Sequence, residues 1–184
     1  MKKQFLSILL LALFLSGCSA KATADKALQL RAAIQQAETL EFSCTVSADY
    51  NDSVFVFSMD CIADRQGKVE FTVTEPASIA GIRGVLSSQG GKISFDGTAL
   101  DFGLLNDALP TPISAPYTLL EALRGGNIRA YSKHDGVYHM VVDESYYSDS
   151  LQIDAYFSQD ILPFYAEVSY QGRKLLSVEI ESSK

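Results

Sequence analysis

From residue 40 to residue 63 the chain alternates apolar and polar side chains with period two, and nothing else constrains its fold as tightly. Leu40, Phe42, Cys44, Val46, Ala48 and Tyr50 are separated by Glu41, Ser43, Thr45, Ser47 and Asp49. Successive side chains of a strand point to opposite faces, so this run reads as a strand with one buried face. After Asn51-Asp52-Ser53, residue types that favour a turn, the apolar set moves to Phe55, Phe57, Met59, Cys61 and Ala63. A hairpin folded between Asp52 and Ser53 sets Cys44 opposite Cys61, Val46 opposite Met59, Ala48 opposite Phe57, and Tyr50 opposite Phe55. A slip of one residue would turn every side chain to the wrong face.

The N-terminus fixes the compartment. Lys2 and Lys3 precede an apolar run from residue 5 to residue 15 that is broken only by Ser7. That run is shorter than the roughly 20 residues a membrane-crossing helix needs, and it suits the core of a secretion signal. It ends in Leu15-Ser16-Gly17-Cys18, which resembles the lipobox of bacterial lipoproteins. The resemblance implies cleavage before Cys18 and attachment of a diacylglycerol to its thiol, with palmitate a typical acyl chain. Residues 1–17 are then a signal peptide, and residues 18–24 a lipidated N-terminus and tether. Residues 25–184 form one domain. Two acyl chains hold a protein stably on a membrane where one does not. The expected location is extracytoplasmic: the outer face of the cell membrane in a Gram-positive host, or an envelope membrane in a host with two.

Loss of Lys2 and Lys3 with the signal deepens the net charge from −7 to −9. Such a domain is repelled by nucleic acid and by anionic headgroups, so neither is an expected partner. With Cys18 lipidated, Cys44 and Cys61 are the two remaining thiols, in a compartment where disulfides persist. A cross-strand Cys44–Cys61 disulfide is expected, contributing about 2–4 kcal/mol; a reduced pair is the alternative. A zinc site lacks ligands, because His134 and His139 are distant in sequence and no short ligand spacing exists.

Helical spacing of Leu28, Ala32, Ile34 and Leu40 predicts a helix over 26–40, with Asp25 as its N-cap. Strands are expected at 68–74, 79–86, 92–95 and 100–102, with Gly81 and Gly84 marking a bend or bulge. Pro110, Pro112 and Pro116 interrupt the strands in the stretch 104–126. A short helix follows there over 116–124, ended by Gly125-Gly126. Strands resume at 128–132, 137–143, 151–157, 163–170 and 174–180. The fold class is mainly β (α+β): about ten short antiparallel strands, with an N-terminal helix and a short mid-chain helix covering one face.

The order helix, long hairpin, Gly67-Lys68-Val69-Glu70-Phe71-Thr72-Val73-Thr74-Glu75-Pro76, then Ile93-Ser94-Phe95-Asp96-Gly97-Thr98-Ala99-Leu100 resembles the LolA/LolB-like lipoprotein-carrier superfamily. The tail Leu151-Gln152-Ile153-Asp154, Leu162-Pro163 and the strand from Leu175 follow in the family's order. The resemblance implies a curved, incompletely closed antiparallel β-barrel whose apolar concave face is lidded by helices. It also implies carriage of lipid or lipoprotein, or regulation of an envelope protein. The chain departs from the pattern in lacking a tryptophan after the Asp96-Gly97 turn.

Candidate ligand-facing residues are Phe42, Val46, Phe57, Met59, Phe71, Val73 and Phe95 on the sheet, covered by Leu119, Leu120 and Leu123. The alternative is that these side chains simply pack a filled core. No catalytic motif is present, so no enzyme is expected, nor any cofactor or metal. His134 and His139, near Asp135 and Asp143, read as solvated residues of a hairpin turn. Tyr146-Tyr147 reads as an exposed loop and a candidate partner contact. Two functions follow: an apolar-ligand binder for envelope maintenance or lipid handling, or an interaction lipoprotein that regulates an envelope enzyme or receptor.

Overall fold

The alternation from Leu40 onward becomes strand β1 (Thr39–Asp49), in which Leu40, Phe42, Cys44, Val46 and Ala48 are all buried. Its partner β2 (Val54–Asp64) buries Phe57, Met59, Cys61 and Ala63 on the same side. These strands belong to a computed structural model that describes residues 18–49, 53–102, 110–147 and 149–182. The expected signal segment, the Asn51-Asp52 turn, Tyr50 and the first part of the proline-rich stretch lie outside the described residues.

The hairpin register differs from the sequence expectation by two residues. Cys44 faces Met59 and Phe42 faces Cys61, while Val46 faces Phe57 and Ala48 faces Phe55. Period-two alternation cannot distinguish registers two residues apart, because each keeps every side chain on its proper face. The two cysteines are therefore diagonal neighbours rather than directly opposed.

The remaining strands are β3 (Val69–Glu75), β4 (Arg83–Ser87), β5 (Gly90–Phe95), β6 (Thr98–Phe102), β7 (Asn127–His134), β8 (Val137–Asp143), β9 (Leu151–Phe157), β10 (Tyr165–Tyr170) and β11 (Arg173–Ser182). They form one eleven-stranded sheet in the order β6-β5-β4-β3-β2-β1-β11-β10-β9-β8-β7. Two meanders are thus joined along β1 and β11, with every neighbouring pair antiparallel. β6 and β7 remain the two ends, so the curved sheet does not close into a barrel. This is the open, helix-lidded architecture expected from the sequence.

Two local expectations fail. Residues 79–82 form a turn, with Ile79 N donating to Pro76 O and Ile82 N to Ile79 O, so the strand begins only at Arg83. Gly81 takes φ +89 in that turn, where a side chain would be strained. The N-terminal helix, α1 (Cys18–Gln36), begins before Asp25 and ends before Leu40, so Asp25 lies inside it rather than capping it. The residues expected as a tether are continuous with this helix. Its buried stripe is Ala27, Leu30 and Ile34, spaced three and four apart, whereas Leu28 is 59% exposed. Leu40 belongs instead to β1, where the two-residue alternation has already taken over.

The β6–β7 connection carries a 3-10 turn (Pro112–Ser114) and helix α2 (Ala115–Gly125). Thr111 caps the turn: its Oγ1 accepts from Ser114 N, and its carbonyl also accepts from that amide. Leu119, Leu120, Ala122 and Leu123 are buried on α2. The helix packs on β8 and β11, bridging β9 and β10 between them. On those two strands Ala155 and Ala166 sit opposite each other, fully buried. Small side chains there let a helix approach the sheet where larger residues would hold it off.

Candidate functional site

The concave face is built from rows of side chains running across the strands. One row passes through Phe42, Cys61, Phe71, Gly84 and Ile93, each paired with the next. A second runs from Phe57 through Val46, Val178, Ala166, Ala155 and Met140 to Tyr131. Nine of the ten candidate residues lie in this buried apolar layer: Phe42, Val46, Phe57, Met59, Phe71, Val73, Leu119, Leu120 and Leu123 are at most 9% exposed. Sheet, helices and one another shield them from water.

Phe95 is the exception. By strand alternation it lies on the same side as Ile93, one position beyond the Arg83–Ser94 pair. It is nevertheless 49% exposed. The helix leucines expected to cover this face do not shield Phe95, because β5 belongs to the outer arm of the sheet. α2 packs on β8 and β11, in the opposite half. Apolar surface therefore runs from a half-open rim at Phe95, past the partly buried Ile82 and Ile93, into the closed core.

Polar side chains fasten the lid at one end. Arg31 Nε donates to Leu123 O at 2.9 Å, and Gln35 Nε2 donates to Arg124 O at 2.7 Å. The carbonyls in the last turn of a helix lack partners within the helix, so two residues one turn apart on α1 cap α2. Arg124, itself 9% exposed, reaches the other way and donates to Asp64 O at 2.8 Å. Its ion pair to Glu121 is 3.8 Å long, and burial pushes the Glu121 carboxyl up against the opposing pull of Arg124. Sequence reasoning missed this clamp. The i,i+4 spacing of Arg31 and Gln35 was its only visible trace.

One histidine is placed as expected and the other is not. His134 sits at the β7–β8 turn, exposed beside Asp135 at 3.1 Å. His139 is not turn-borne. It lies within β8, its Nε2 2.8 Å from Asp154 Oδ1 on β9 and its ring stacked on Tyr156 at 4.5 Å. Asp154 also accepts from Gln152 Nε2 at 2.6 Å, while Asp143 pairs with Arg129 at 3.6 Å. Among the described residues no group of three or more His, Cys, Asp or Glu is placed to hold a metal ion. Tyr146 and Tyr147 are 87% and 82% exposed on the β8–β9 connection. Cys44 and Cys61 are buried, with sulfurs 3.9 Å apart and unbonded in this structure. Among the described residues no helix is long and apolar enough to cross a membrane.

No protein-family model matches the chain, and no curated protein sequence matches it. Solved structures do resemble it. A DUF1329 family protein from Desulfovibrio piger is similar over 88% of this chain and 90% of that one, at 9% identity and a TM-score of 0.50. What the two share is the fold. A putative outer membrane lipoprotein-sorting protein domain from Vibrio parahaemolyticus is 10% identical over 86% of this chain and 89% of its own, with a TM-score of 0.49. A LolA superfamily protein from Nitrosomonas europaea is 9% identical over 87% and 92%, with a TM-score of 0.48.

Proposed function

We propose that this protein is an extracytoplasmic lipoprotein, anchored through Cys18, whose concave sheet binds an apolar ligand (a lipid or acyl group). Envelope maintenance or the handling of lipids and lipoproteins is the process it serves. The observation that carries this reading is the half-exposed Phe95, which strand alternation places on the interior side of the sheet at its outer arm. A large aromatic left open to water at the rim of an apolar face is a contact point for an apolar guest. The α1–α2 lid, its two helices joined through Arg31 and Gln35 and tied to the sheet through Arg124, is the element that would lift or tighten over that guest. The lipobox resemblance at residues 15–18 supports the anchor.

The test is solvent extraction of the purified chain carrying Cys18→Ser, which removes the anchor's own lipid, followed by mass spectrometry. Co-purified lipid in stoichiometric amount supports the reading. A chain that is folded and lipid-free, and stays so after incubation with membrane lipid extract, overturns it.

A second reading is supported by Tyr146 and Tyr147. Two adjacent, almost fully exposed tyrosines suit a protein contact, since tyrosine is enriched at interfaces. On this reading the domain docks on an envelope protein and regulates it, with the core filled by its own side chains. Loss of a specific cross-linked partner on changing both tyrosines to serine, in a chain without extractable lipid, would favour it.

A further inference from the structure

Cys44 and Cys61 lie on the concave face without being candidate ligand contacts, and they form a distinctive pair. Both are buried, 3% and 2% exposed, on the inward side of the two central strands. They occupy diagonal rather than opposed positions, since Phe42 faces Cys61 and Cys44 faces Met59. Their sulfurs are nonetheless only 3.9 Å apart, each turned toward the other. A disulfide needs a separation of about 2.05 Å, so closing the gap takes a shift of under 2 Å in all, roughly what the two Cys χ1 rotations and a small strand adjustment supply. The ladder between β2 and β3 shifts register at Ser58/Met59, two residues from Cys61, so strand geometry already departs from regularity beside the pair.

We infer that Cys44 and Cys61 are an oxidation site at which a disulfide staples β1 to β2 in the exported protein. The oxidant is the disulfide of an extracytoplasmic thiol oxidoreductase. One thiolate of the pair attacks that disulfide, giving a mixed disulfide and releasing one sulfur of the oxidant as a thiol. The second cysteine then attacks the mixed disulfide and releases the other. One S–S bond breaks and one forms; the oxidant is reduced to a dithiol, which takes up the two thiol protons. The chain is oxidised by two electrons.

The surroundings set the timing. In the folded chain the Cys61 thiol is held far above its ordinary range, first by its hydrogen bond with Cys44 and then by burial. Exchange needs a thiolate and access for the partner disulfide. Both thiols are buried in the folded chain, so exchange with a partner disulfide needs β1 and β2 to be open.

This inference rests on export of the chain, as proposed above. The test uses the full-length protein produced with its own signal in a bacterium with an oxidising envelope. Membranes are quenched in acid, denatured and treated with N-ethylmaleimide with or without prior reduction, and the adducts are mapped by peptide mass spectrometry. The expected result is no adduct on Cys44 or Cys61 before reduction and one on each afterwards. Unmodified before reduction, the peptide pair should be two hydrogens lighter than its reduced form. Full alkylation of both residues without reduction, in chain recovered from the envelope, overturns the staple. An adduct on Cys18 reports separately on the anchor, so failure of lipidation and failure of the staple are told apart. The readout uses the wild-type chain and needs no variant to fold.

Discussion

Gly84 lies directly beneath the ring of Phe71: a Cβ at residue 84 would stand 2.3 Å from Phe71 Cζ. The two residues are paired across β3 and β4, and the ring fills the space that any other residue at 84 would occupy. Gly84→Ala is expected to destabilise the fold by about 1–3 kcal/mol, the usual cost of overpacking a filled core. Phe71→Leu in the same chain should recover part of that loss, since the shorter side chain vacates the collision. Urea denaturation of both single variants and the double variant measures the coupling. Additive losses would mean the two side chains do not compete for one space.

The lid is expected to loosen at a defined place when its clamp is cut. Arg31→Met keeps the aliphatic stem but removes the donor to Leu123 O, and Gln35→Ala removes the donor to Arg124 O. Each change should cost about 1 kcal/mol, the net worth of one such hydrogen bond. Amide exchange should rise in the last turn of α2, including Gly126, whose N–H bonds Ala122 O. Strands β9 and β10 beneath it should keep their protection. A uniform rise across the sheet would show that the clamp supports the whole fold rather than the lid.

One pair on the outer face sets a pH dependence. Tyr165 Oη donates to Glu167 Oε1 at 2.6 Å, and Lys174 Nζ donates to the same oxygen at 3.1 Å. The Tyr165 hydroxyl, aided by Lys174 and opposed by burial, holds the Glu167 carboxyl below its usual range. Burial first, and then the bond to Glu167, push Tyr165 up to about 12. A carboxylate depressed on folding stabilises the protein above its unfolded-state pKa, and that stability is lost as pH falls through the folded value. A tyrosine raised on folding stabilises below its unfolded value, and the contribution is lost as pH climbs toward about 12. Tyr165→Phe should therefore move the Glu167 titration upward in carbon-detected NMR and flatten the alkaline fall of Tm. An unchanged Glu167 titration would contradict the role given to the hydroxyl.

Much of this architecture was legible in the chain because strand alternation is a local signal. Strands β8 and β9 fall at residues 137–143 and 151–157, as their patterns require. The bounds of α2 differ from expectation by one residue at each end. What could not be read was anything that depends on relations across elements. The hairpin register escaped because Cys44 keeps its face whether it meets Cys61 or Met59. The stripe of α1 was misphased because Leu28 is more apolar than Ala27, yet packing selected Ala27, Leu30 and Ile34. His139 had Asp143 near it in sequence, but its partner is Asp154, brought alongside by the β8–β9 pairing. For the candidate site, nine inward-facing residues were found from alternation and helical spacing. The exposure of Phe95 was not, because coverage depends on where a distant helix lies.

Binding of an acyl chain at the sheet rim is the most direct test of the proposed function. Titration of an environment-sensitive fluorescent fatty acid into the Cys18→Ser chain, with and without Phe95→Asp, measures this. Phe95 is already half exposed, so its replacement should leave Tm nearly unchanged. Saturable binding of one probe per chain, weakened about tenfold (about 1.4 kcal/mol) by Phe95→Asp, is the predicted result. A folded chain that takes up no probe, or binds it equally well with aspartate at 95, would contradict it.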